Sequence, residues 1–392
     1  MTMPLSFWDC PKHKSTITRT HKSLNLKMRV NYFICVYCLF IVSVSFGQLT
    51  KEDAPKIEAF AKQLFDEGKT HGALLVAEGE TVIYEGAFGL ADRSLNIPNS
   101  PKMRFWDASV GKMFTAVLIL QLLEEEKMSL RDPISKHLPW FKHNMADKIT
   151  IHDLLSHRSG FSSQVYEERA KAEHDQKSQR SILEQKIAKT ALAFEPGTAF
   201  LYSNTGYVLL SEIIMAHLGD EYNAILQEKI FKPLHMSDTY WSAPIYGPSM
   251  PVYYLETGEP LLPAKELDFT GPGGEKTTLQ DLHKFMMAVG TDKLISKQSW
   301  ALAFQPHSLP EEAKSGWGPH QSPYGYGFSL IDFPYMENQF AATVSHGGAA
   351  AGTSSYALRF IDNERIVVLW NNEFKNPVLF ELYQALNDIA TK

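Results

Sequence analysis

The chain of 392 residues is 44% hydrophobic and 21% charged, an ordinary globular composition that can bury a large core in one big domain or two closely packed lobes. Its net charge of −6 and the lack of a basic stripe with interleaved aromatic residues argue against a nucleic-acid partner. The three cysteines, Cys10, Cys35 and Cys38, lie near the N-terminus, so the remaining chain offers no thiol for a disulfide, a nucleophile or a metal site.

Residues 1–47 have the layout of a secretory signal peptide behind a polar, basic extension. Residues 32–46 are apolar, two basic residues precede them and small residues close the run. This run is too short to span a bilayer comfortably. We therefore expect cleavage after Gly47 and a secreted or periplasmic protein, whose translation starts at Met1 or Met28. The alternative is an uncleaved membrane anchor at residues 32–46.

Local periodicity predicts the elements that follow. Apolar residues at helical spacing cover residues 53–68, and two strand-like runs, 72–79 and 81–91, join at a Gly-Glu turn as a β-hairpin. Residues 105–126 then predict a helix that is apolar on nearly every face, and two prolines make residues 129–141 loop-like. Because such a helix is buried on all sides, polar residues at its start are unfavourable unless they have a function.

The middle of the chain is predicted to be mostly helical. Helix-capping sequences begin at Thr150 and at Thr278, each with an aspartate three residues later. Residues 163–193 have the charge pattern of a solvated helical face, and a long apolar helix with a continuation reaches about Phe231. Residues 240–276 are rich in proline and glycine, which predicts irregular structure.

From residue 324 the pattern changes to short runs of period two, which predict about four strands, and residues 377–390 predict an amphipathic helix. We therefore predict an α+β fold, with a mainly antiparallel sheet flanked by helices and a helical lobe inserted between its strands. The predicted sheet lobe takes about residues 52–95 and 323–392, the mostly helical lobe about 96–322, and both belong to one domain of residues 48–392.

Ser109 and Lys112 lie three residues apart at the start of the apolar helix, so their side chains are neighbours on one face. A serine hydroxyl is a poor nucleophile until a base takes its proton, and a lysine can help when burial lowers its pKa. Free amides at a helix N-terminus also favour developing negative charge. Alone, the Ser-x-x-Lys pattern is a weak signal, because a capping serine followed by a solvated lysine has the same spacing.

Two further motifs follow along the chain. Residues 202–204 (Tyr-Ser-Asn) precede the long apolar helix, where they can equally serve as a turn and a cap. Residues 346–348 (His-Gly-Gly) lie in a strand-like run, where a histidine can equally be structural. His152 and His157 are five residues apart without an H-E-x-x-H pattern, so we interpret them as structural and predict no metal site.

Together, the three motifs and the stretches around them resemble the serine β-lactamase and penicillin-recognising family, in its class C and esterase-like branch. The resemblance covers about residues 52–390 and implies a β-lactamase/transpeptidase-like fold without a metal or organic cofactor. The stretches that carry it are ITIHDLLSHRSGF, FEPGTAFLYSNTGYVLLSEII, KPLHMSDT, the Gly-rich residues 271–274 with TTLQDL, YGYGFSL and SHGGAAAGTSS.

The resemblance implies a catalytic role for three residues. Ser109 would be the acylated nucleophile, Lys112 its proton-handling partner, and Tyr202 the second base, which protonates the leaving group. We expect the neighbouring lysine ammonium to depress the pKa of Tyr202. Asn204 would orient Lys112 and the acyl amide of the substrate, and the backbone amides of Ser109 and Ala349 would form the oxyanion hole.

The third motif departs from the family pattern, because His346 takes the place of the lysine in a Lys-Thr-Gly strand motif. A lysine is a cation that can hold a substrate carboxylate, whereas histidine is mostly neutral at pH 7, so strong β-lactamase activity is not implied. We expect His346, Gly347 and Gly348 to contribute to substrate binding. Two other departures are Gly111, which can let another segment approach closely, and the charged residues 275–276 (Glu-Lys) after the Gly-rich loop.

We therefore expect a secreted serine hydrolase that works through an acyl-enzyme on Ser109. Its substrates would be small-molecule esters or amides, including β-lactams and D-amino-acid peptides of the cell wall. The alternative is a catalytically idle protein that binds cell-wall peptides or penicillin in the same pocket. A membrane is involved only if residues 32–46 are uncleaved, and the sequence fixes neither the natural substrate nor the oligomeric state.

Overall fold

The computed structural model describes residues 47–170, 176–241, 249–261, 270–309, 312, 322–330, 343–361, 363–375 and 378–391. Residues 1–46 lie outside this set and hold nearly all of the predicted signal peptide and the alternative anchor, so both stay predictions. Within the described ranges, no helix combines the length and the apolar character needed to cross a membrane.

Eleven strands and eleven α-helices are present in the described parts of the chain. The strands are β1 Gly72–Glu78, β2 Thr81–Ala87, β3 Leu90–Asp92, β4 Ile97–Pro98, β5 Phe105–Trp106, β6 Tyr240–Trp241, β7 Glu275–Thr277, β8 Ser329–Leu330, β9 Thr343–Ala350, β10 Thr353–Phe360 and β11 Arg365–Asn371. The helices are α1 Ala54–Asp66, α2 Lys112–Glu124, α3 Ile134–His137, α4 Ile151–Leu155, α5 Gln164–Ala170, α6 Gln176–Ile187, α7 Asn204–Leu218, α8 Tyr222–Leu226, α9 Leu279–Ala288, α10 Lys297–Ala303 and α11 Leu379–Ala390.

The central sheet joins the two ends of the described chain. Its six strands run in the order β2-β1-β11-β10-β9-β8. Each pairs antiparallel with its neighbours, and β1 meets β11 from Gly72 opposite Asn371 to Glu78 opposite Arg365. The predicted N-terminal hairpin and the four C-terminal strands are confirmed, and the helical middle of the chain lies between them in sequence.

Both faces of this sheet are buried. Along β11, Ile366, Val368 and Trp370 belong to the large core shared with the helical middle of the chain. The alternate residues Val367 and Leu369 belong to a second core, which α1 and α11 complete. Because successive strand residues point to opposite faces, a sheet covered on both sides needs apolar residues at nearly every position.

Two predictions in the helical middle are confirmed. Helix α2 is buried on nearly every side, as its continuous apolar sequence indicates. Thr150 caps α4: its hydroxyl accepts from the amide of Asp153 at 3.1 Å, and the Asp153 carboxylate accepts from the amide of Thr150 at 2.9 Å. This reciprocal pair is a capping box.

Four short elements were not predicted. Helix α3 lies in the segment predicted as a loop, and α10 begins at a Ser296 cap that the sequence analysis did not identify. The segment predicted as irregular contributes β6 and β7, which form a small sheet with β5 in the order β5-β7-β6. Strands of two or three residues are too short to show a periodicity, which is why the pattern missed them.

Candidate active site

The nucleophile motif lies in a tight turn at the start of the buried helix. The chain leaves β5 and forms a 3-10 turn, Ala108–Gly111, before α2 begins at Lys112. Ser109 therefore precedes the α-helix, whereas the sequence predicted it inside the first turn. Ala108 has φ of 49°, a left-handed conformation that is strained for a residue with a side chain. Partly exposed Ser109 faces a cleft, and Lys112 is fully buried behind it.

Three acceptor groups surround the Lys112 amine. Its Nζ lies 3.0 Å from Ser109 Oγ, 2.7 Å from Asn204 Oδ1 and 3.0 Å from the carbonyl oxygen of Pro272. Burial lowers the pKa of Lys112 well below its ordinary value, although the charges of Glu275 and Asp107 oppose this shift. A neutral amine has two N–H donors, which match the two carbonyl oxygens, and one lone pair, which matches the Ser109 hydroxyl.

Tyr202 lies beside this pair, but the expected depression of its pKa is wrong. Lys112 Nζ is 4.8 Å from the centroid of the Tyr202 ring, and the phenol is hydrogen-bonded to Ser109. Burial is the largest influence and raises the pKa of Tyr202 well above its ordinary value. The neighbouring phenols Tyr207 and Tyr166 raise this pKa further, and the expected depression by the charge of Lys112 is not found. The geometry therefore suits a Tyr202 phenol that donates a proton.

His157 packs underneath the Tyr202 turn. Its ring centroid is 4.3 Å from that of Tyr202, and its Nδ1 accepts from the backbone amide of Ser203 at 3.1 Å. His152 lies elsewhere, with its Nδ1 at 2.6 Å from the Tyr326 hydroxyl. Among the described residues there is no group of three or more His, Cys, Asp or Glu side chains that could hold a metal ion.

His346 lies on β9 and is 3% exposed. Its Nδ1 is 2.7 Å from the carbonyl oxygen of Gly347, and its Nε2 is 3.0 Å from the Tyr324 hydroxyl. A carbonyl can only accept, so Nδ1 donates to it. Both ring nitrogens of His346 therefore lie at hydrogen-bonding distance from protein groups. Tyr324 was not assigned from the sequence, although it begins the landmark stretch YGYGFSL.

Glycines let β9 approach the nucleophile turn. A methyl group at Gly348 would collide with the carbonyl oxygen of Asp107 and the Ser355 hydroxyl, and one at Gly347 would collide with the Tyr356 ring. Ser355 Oγ donates to the Asp107 carbonyl at 2.6 Å, which ties β10 to the same turn. These contacts explain in physical terms why the third motif needs two glycines.

Residues from or next to the three motifs meet at one cleft. Ser109, Asn204 and Ala349 line it, whereas Tyr202, His346, Gly347 and Gly348 are not among its lining residues. The cleft is further lined by Trp106, Ala108, Tyr166, Pro272, Gly273, Gly274 and Ala350. Sequence reasoning named the Gly-rich segment only as a landmark, and its Pro272 carbonyl contact with Lys112 has no signal in the sequence.

The fold and the site define an α+β protein of the serine–lysine type, in which the serine lies at the edge of an antiparallel sheet. The sequence profile described as Beta-lactamase matches residues 57–391. Penicillin-binding protein 4* of Bacillus subtilis (strain 168) is 28% identical over 336 residues, which cover 81% of this chain and 71% of the relative.

Solved structures agree with this match. An octameric penicillin-binding protein homologue from Pyrococcus abyssi has a TM-score of 0.70 at 25% identity, covering 86% of this chain and 77% of that chain. A class C β-lactamase shares the fold with a TM-score of 0.70 at 19% identity, covering 87% of this chain and 99% of the other.

The chain therefore belongs to the β-lactamase family, and the resemblance and fold class predicted from the sequence are confirmed. Penicillin-binding proteins are among its relatives, and the fold is shared with a D-amino acid amidase and with another hydrolase.

Proposed function

We propose that this protein is a serine hydrolase that forms an acyl-enzyme on Ser109. The observation that carries the proposal is the fully buried Lys112 amine at 3.0 Å from the Ser109 hydroxyl, with its other two contacts made to carbonyl oxygens. In that arrangement the amine lone pair is available to the serine proton, which is what a general base requires.

In the first half of the reaction, Ser109 Oγ gives its proton to Lys112 Nζ and bonds to the carbonyl carbon of the substrate. The resulting oxyanion is stabilised by the backbone amides of Ser109 and Ala349. Tyr202 donates its phenolic proton to the leaving oxygen or nitrogen as the carbonyl–leaving-group bond breaks, and Lys112 returns a proton to Tyr202. Water then attacks the acyl-enzyme with Tyr202 or Lys112 as base, which releases the acid and restores Ser109.

We propose esters and amides without a required carboxylate as the preferred substrates. Both ring nitrogens of His346 lie at hydrogen-bonding distance from protein groups, and the ring is buried, so it is not arranged as a cation for a substrate carboxylate. Simple esters are therefore favoured over penicillins and over peptides with a free C-terminus. The second candidate is the idle binding protein, and the intact contact between Lys112 and Ser109 speaks against it.

Intact-mass analysis during turnover tests the proposal. We would offer p-nitrophenyl butyrate, a chromogenic cephalosporin and a D-Ala-D-Ala peptide in parallel, together with an active-serine phosphonate. We expect ester turnover and a phosphonate adduct on Ser109, both lost in Ser109→Ala by about 10³-fold or more. Ser129→Ala, at an exposed serine, is the matched control and should behave as the wild type.

Each other outcome has a definite meaning. Labelling that persists in Ser109→Ala would remove Ser109 as the nucleophile. Peptide cleavage with slow loss of a cephalosporin adduct would overturn the substrate preference and indicate a cell-wall peptidase. A wild type without adduct or turnover on all three substrates would favour the binding protein.

A further inference from the structure

Two carboxyl side chains oppose each other directly behind the nucleophile turn. Trp106 pairs with Lys276 at the end of the β5–β7 ladder, and the next amide, that of Asp107, donates to the carbonyl oxygen of Glu275 at 3.2 Å. Opposed residues in an antiparallel ladder project to the same face, so the Asp107 and Glu275 side chains are neighbours. Both residues are completely buried.

The Glu275 carboxyl lies against the backbone that carries the nucleophile. A methyl group at Gly111 would collide with this carboxyl group and with Gly273 Cα, so Gly111 makes room for it. None of the four carboxyl oxygens of Asp107 and Glu275 is hydrogen-bonded to any other described residue. Two adjacent carboxylates without hydrogen-bond donors in a dry interior are unfavourable unless they share a proton.

The electrostatics favour a single negative charge on this pair. Burial and the charge of Glu275 raise the pKa of Asp107 well above its ordinary value, and burial raises the pKa of Glu275 to about 7. Near neutral pH the pair therefore holds at least one proton, on Asp107, and carries at most one negative charge, on Glu275.

Three other ionisable groups face the pair among the described residues. The Lys276 ammonium on β7 donates a hydrogen bond to the Gly274 carbonyl oxygen at 2.9 Å, and burial lowers the pKa of Lys276 to about 8. Tyr222 on α8 is a buried phenol whose pKa is raised first by burial and then by the Glu275 charge. The negative charge of the two carboxyls favours the protonated form of Lys112 on α2, whereas burial favours its neutral form.

We propose that Asp107 and Glu275 form a carboxyl pair that holds one proton and, through its single negative charge, sets the pH range in which Lys112 can act as a base. The two acids do not contact the reacting atoms, so they act on the reaction only through Lys112. If both were ionised, their charges would hold Lys112 as an ammonium, which cannot accept the Ser109 proton. The proposal rests on the role given to Lys112 in the proposed function.

The pH dependence of kcat/KM for p-nitrophenyl butyrate tests the proposal in Asp107→Asn, Glu275→Gln and the double variant. The acidic limb of the profile reports the loss of a proton from Lys112. In the double variant no carboxyl remains, the ammonium loses its stabilising charge, and we expect the limb to move to lower pH by about one pH unit. Each single variant keeps one carboxyl that can ionise, so the two single shifts should sum to much less than the double shift.

Glu125→Gln is the matched control, because it makes the same chemical change at the far end of α2, about 20 Å from Lys112 by helix rise. A thermal melt of each variant establishes that it is folded. An unshifted limb in a folded double variant overturns the proposal, and additive single shifts overturn the shared proton.

An infrared spectrum gives a readout that does not depend on turnover. The wild type near pH 7.5 should show the carbonyl band of a buried protonated carboxylic acid, and the double variant should lack it. A wild type without the band overturns the shared proton.

The two proposals can fail separately. A wild type that neither turns over the ester nor is labelled by the phosphonate overturns the proposed function together with the role of Lys112. If the phosphonate labels Ser109 in the wild type, but the acidic limb of the pH profile is unchanged in the double variant, only the role of the carboxyl pair is overturned.

Discussion

Lys112 combines complete burial with three hydrogen-bonding partners, a combination that a lysine needs only where its proton is to be moved. Burial lowers its pKa in the folded protein, whereas the unfolded chain restores the ordinary lysine value. Unfolding therefore binds one proton at any pH between the lowered pKa and about 10.4. Because the unfolded state binds more protons there, the folded state gains stability as the pH rises.

Lys112→Met makes this effect measurable. The stability of the wild type relative to Lys112→Met should increase with pH below about 10.4, by at most about 1.4 kcal/mol per pH unit, as determined from denaturant unfolding curves. Lys142→Met, at an exposed side chain that is solvated before and after unfolding, should show a difference that does not change with pH. A flat difference for Lys112→Met would mean that the lysine stays an ammonium in the folded protein.

At this scale the sequence predicted contacts better than charges. Three-residue spacing correctly placed Ser109 next to Lys112, because that neighbourhood depends only on local backbone geometry. The expected effect on Tyr202 was wrong, because its pKa depends on how fully the surrounding elements exclude water. The exclusion of water depends on tertiary packing, which no local sequence pattern predicts.

The turn between β5 and α2 carries the serine, and its shape depends on one glycine. Gly111 has ordinary helical dihedral angles, φ −57° and ψ −17°, so an alanine is compatible with the backbone itself. The obstacle is space, since a methyl group there would collide with the Glu275 side chain and Gly273. A glycine in the helical pattern predicts a close approach at Gly111, but it does not identify the segment that approaches.

Gly111→Ala should lower the free energy of unfolding by about 1–3 kcal/mol, the usual effect of overpacking, and should reduce ester turnover because Ser109 moves with the turn. Gly206→Ala in α7 is the matched control. A methyl group there has its nearest neighbour at 3.6 Å, an ordinary contact, so the better helix propensity of alanine should stabilise the protein by up to about 1 kcal/mol. Equal destabilisation by the two substitutions in denaturant unfolding would contradict the steric argument.

One buried arginine links distant parts of the described chain. Arg365 begins β11 and donates Nε to Glu78 at 2.7 Å, Nη1 to the Asn387 side chain at 2.8 Å and Nη2 to the Gly47 carbonyl at 3.0 Å. One side chain thereby links the start of the described chain, two central strands and α11. The arginine side chain is 1% exposed and that of Glu78 is 9% exposed, so water replaces neither partner.

Arg365→Met should destabilise the protein by about 3–5 kcal/mol in denaturant unfolding, because it leaves the Glu78 carboxylate buried without its cation. Adding Glu78→Gln should recover part of that loss, since the stranded charge is then removed. The comparison is Lys62→Met, which breaks an exposed ion pair with Asp66 and should cost less than about 1 kcal/mol. A loss below 1 kcal/mol for Arg365→Met would show that this link is not needed.

Most of the architecture could be predicted from local patterns, including the N-terminal hairpin, the buried α2 and the four C-terminal strands. The strand order could not be predicted from local patterns. The periodicity of β1 and that of β11 each predict a strand, but neither indicates that the two strands pair. The convergence of Ser109, Asn204 and Ala349 on one cleft was predicted by the family resemblance rather than by any spacing.

The same pairing of β1 with β11 decides the order in which a newly made chain can fold. The amide of His71 donates to the side chain of Asn371 across 300 residues of sequence. Until the ribosome has made β11, the β1–β2 hairpin has an open edge, and such an edge can pair with other chains. Contacts this distant in sequence form slowly. Translation that stops before Arg365 therefore removes the centre of the sheet, and the nascent protein has to be protected from aggregation until β11 has been made.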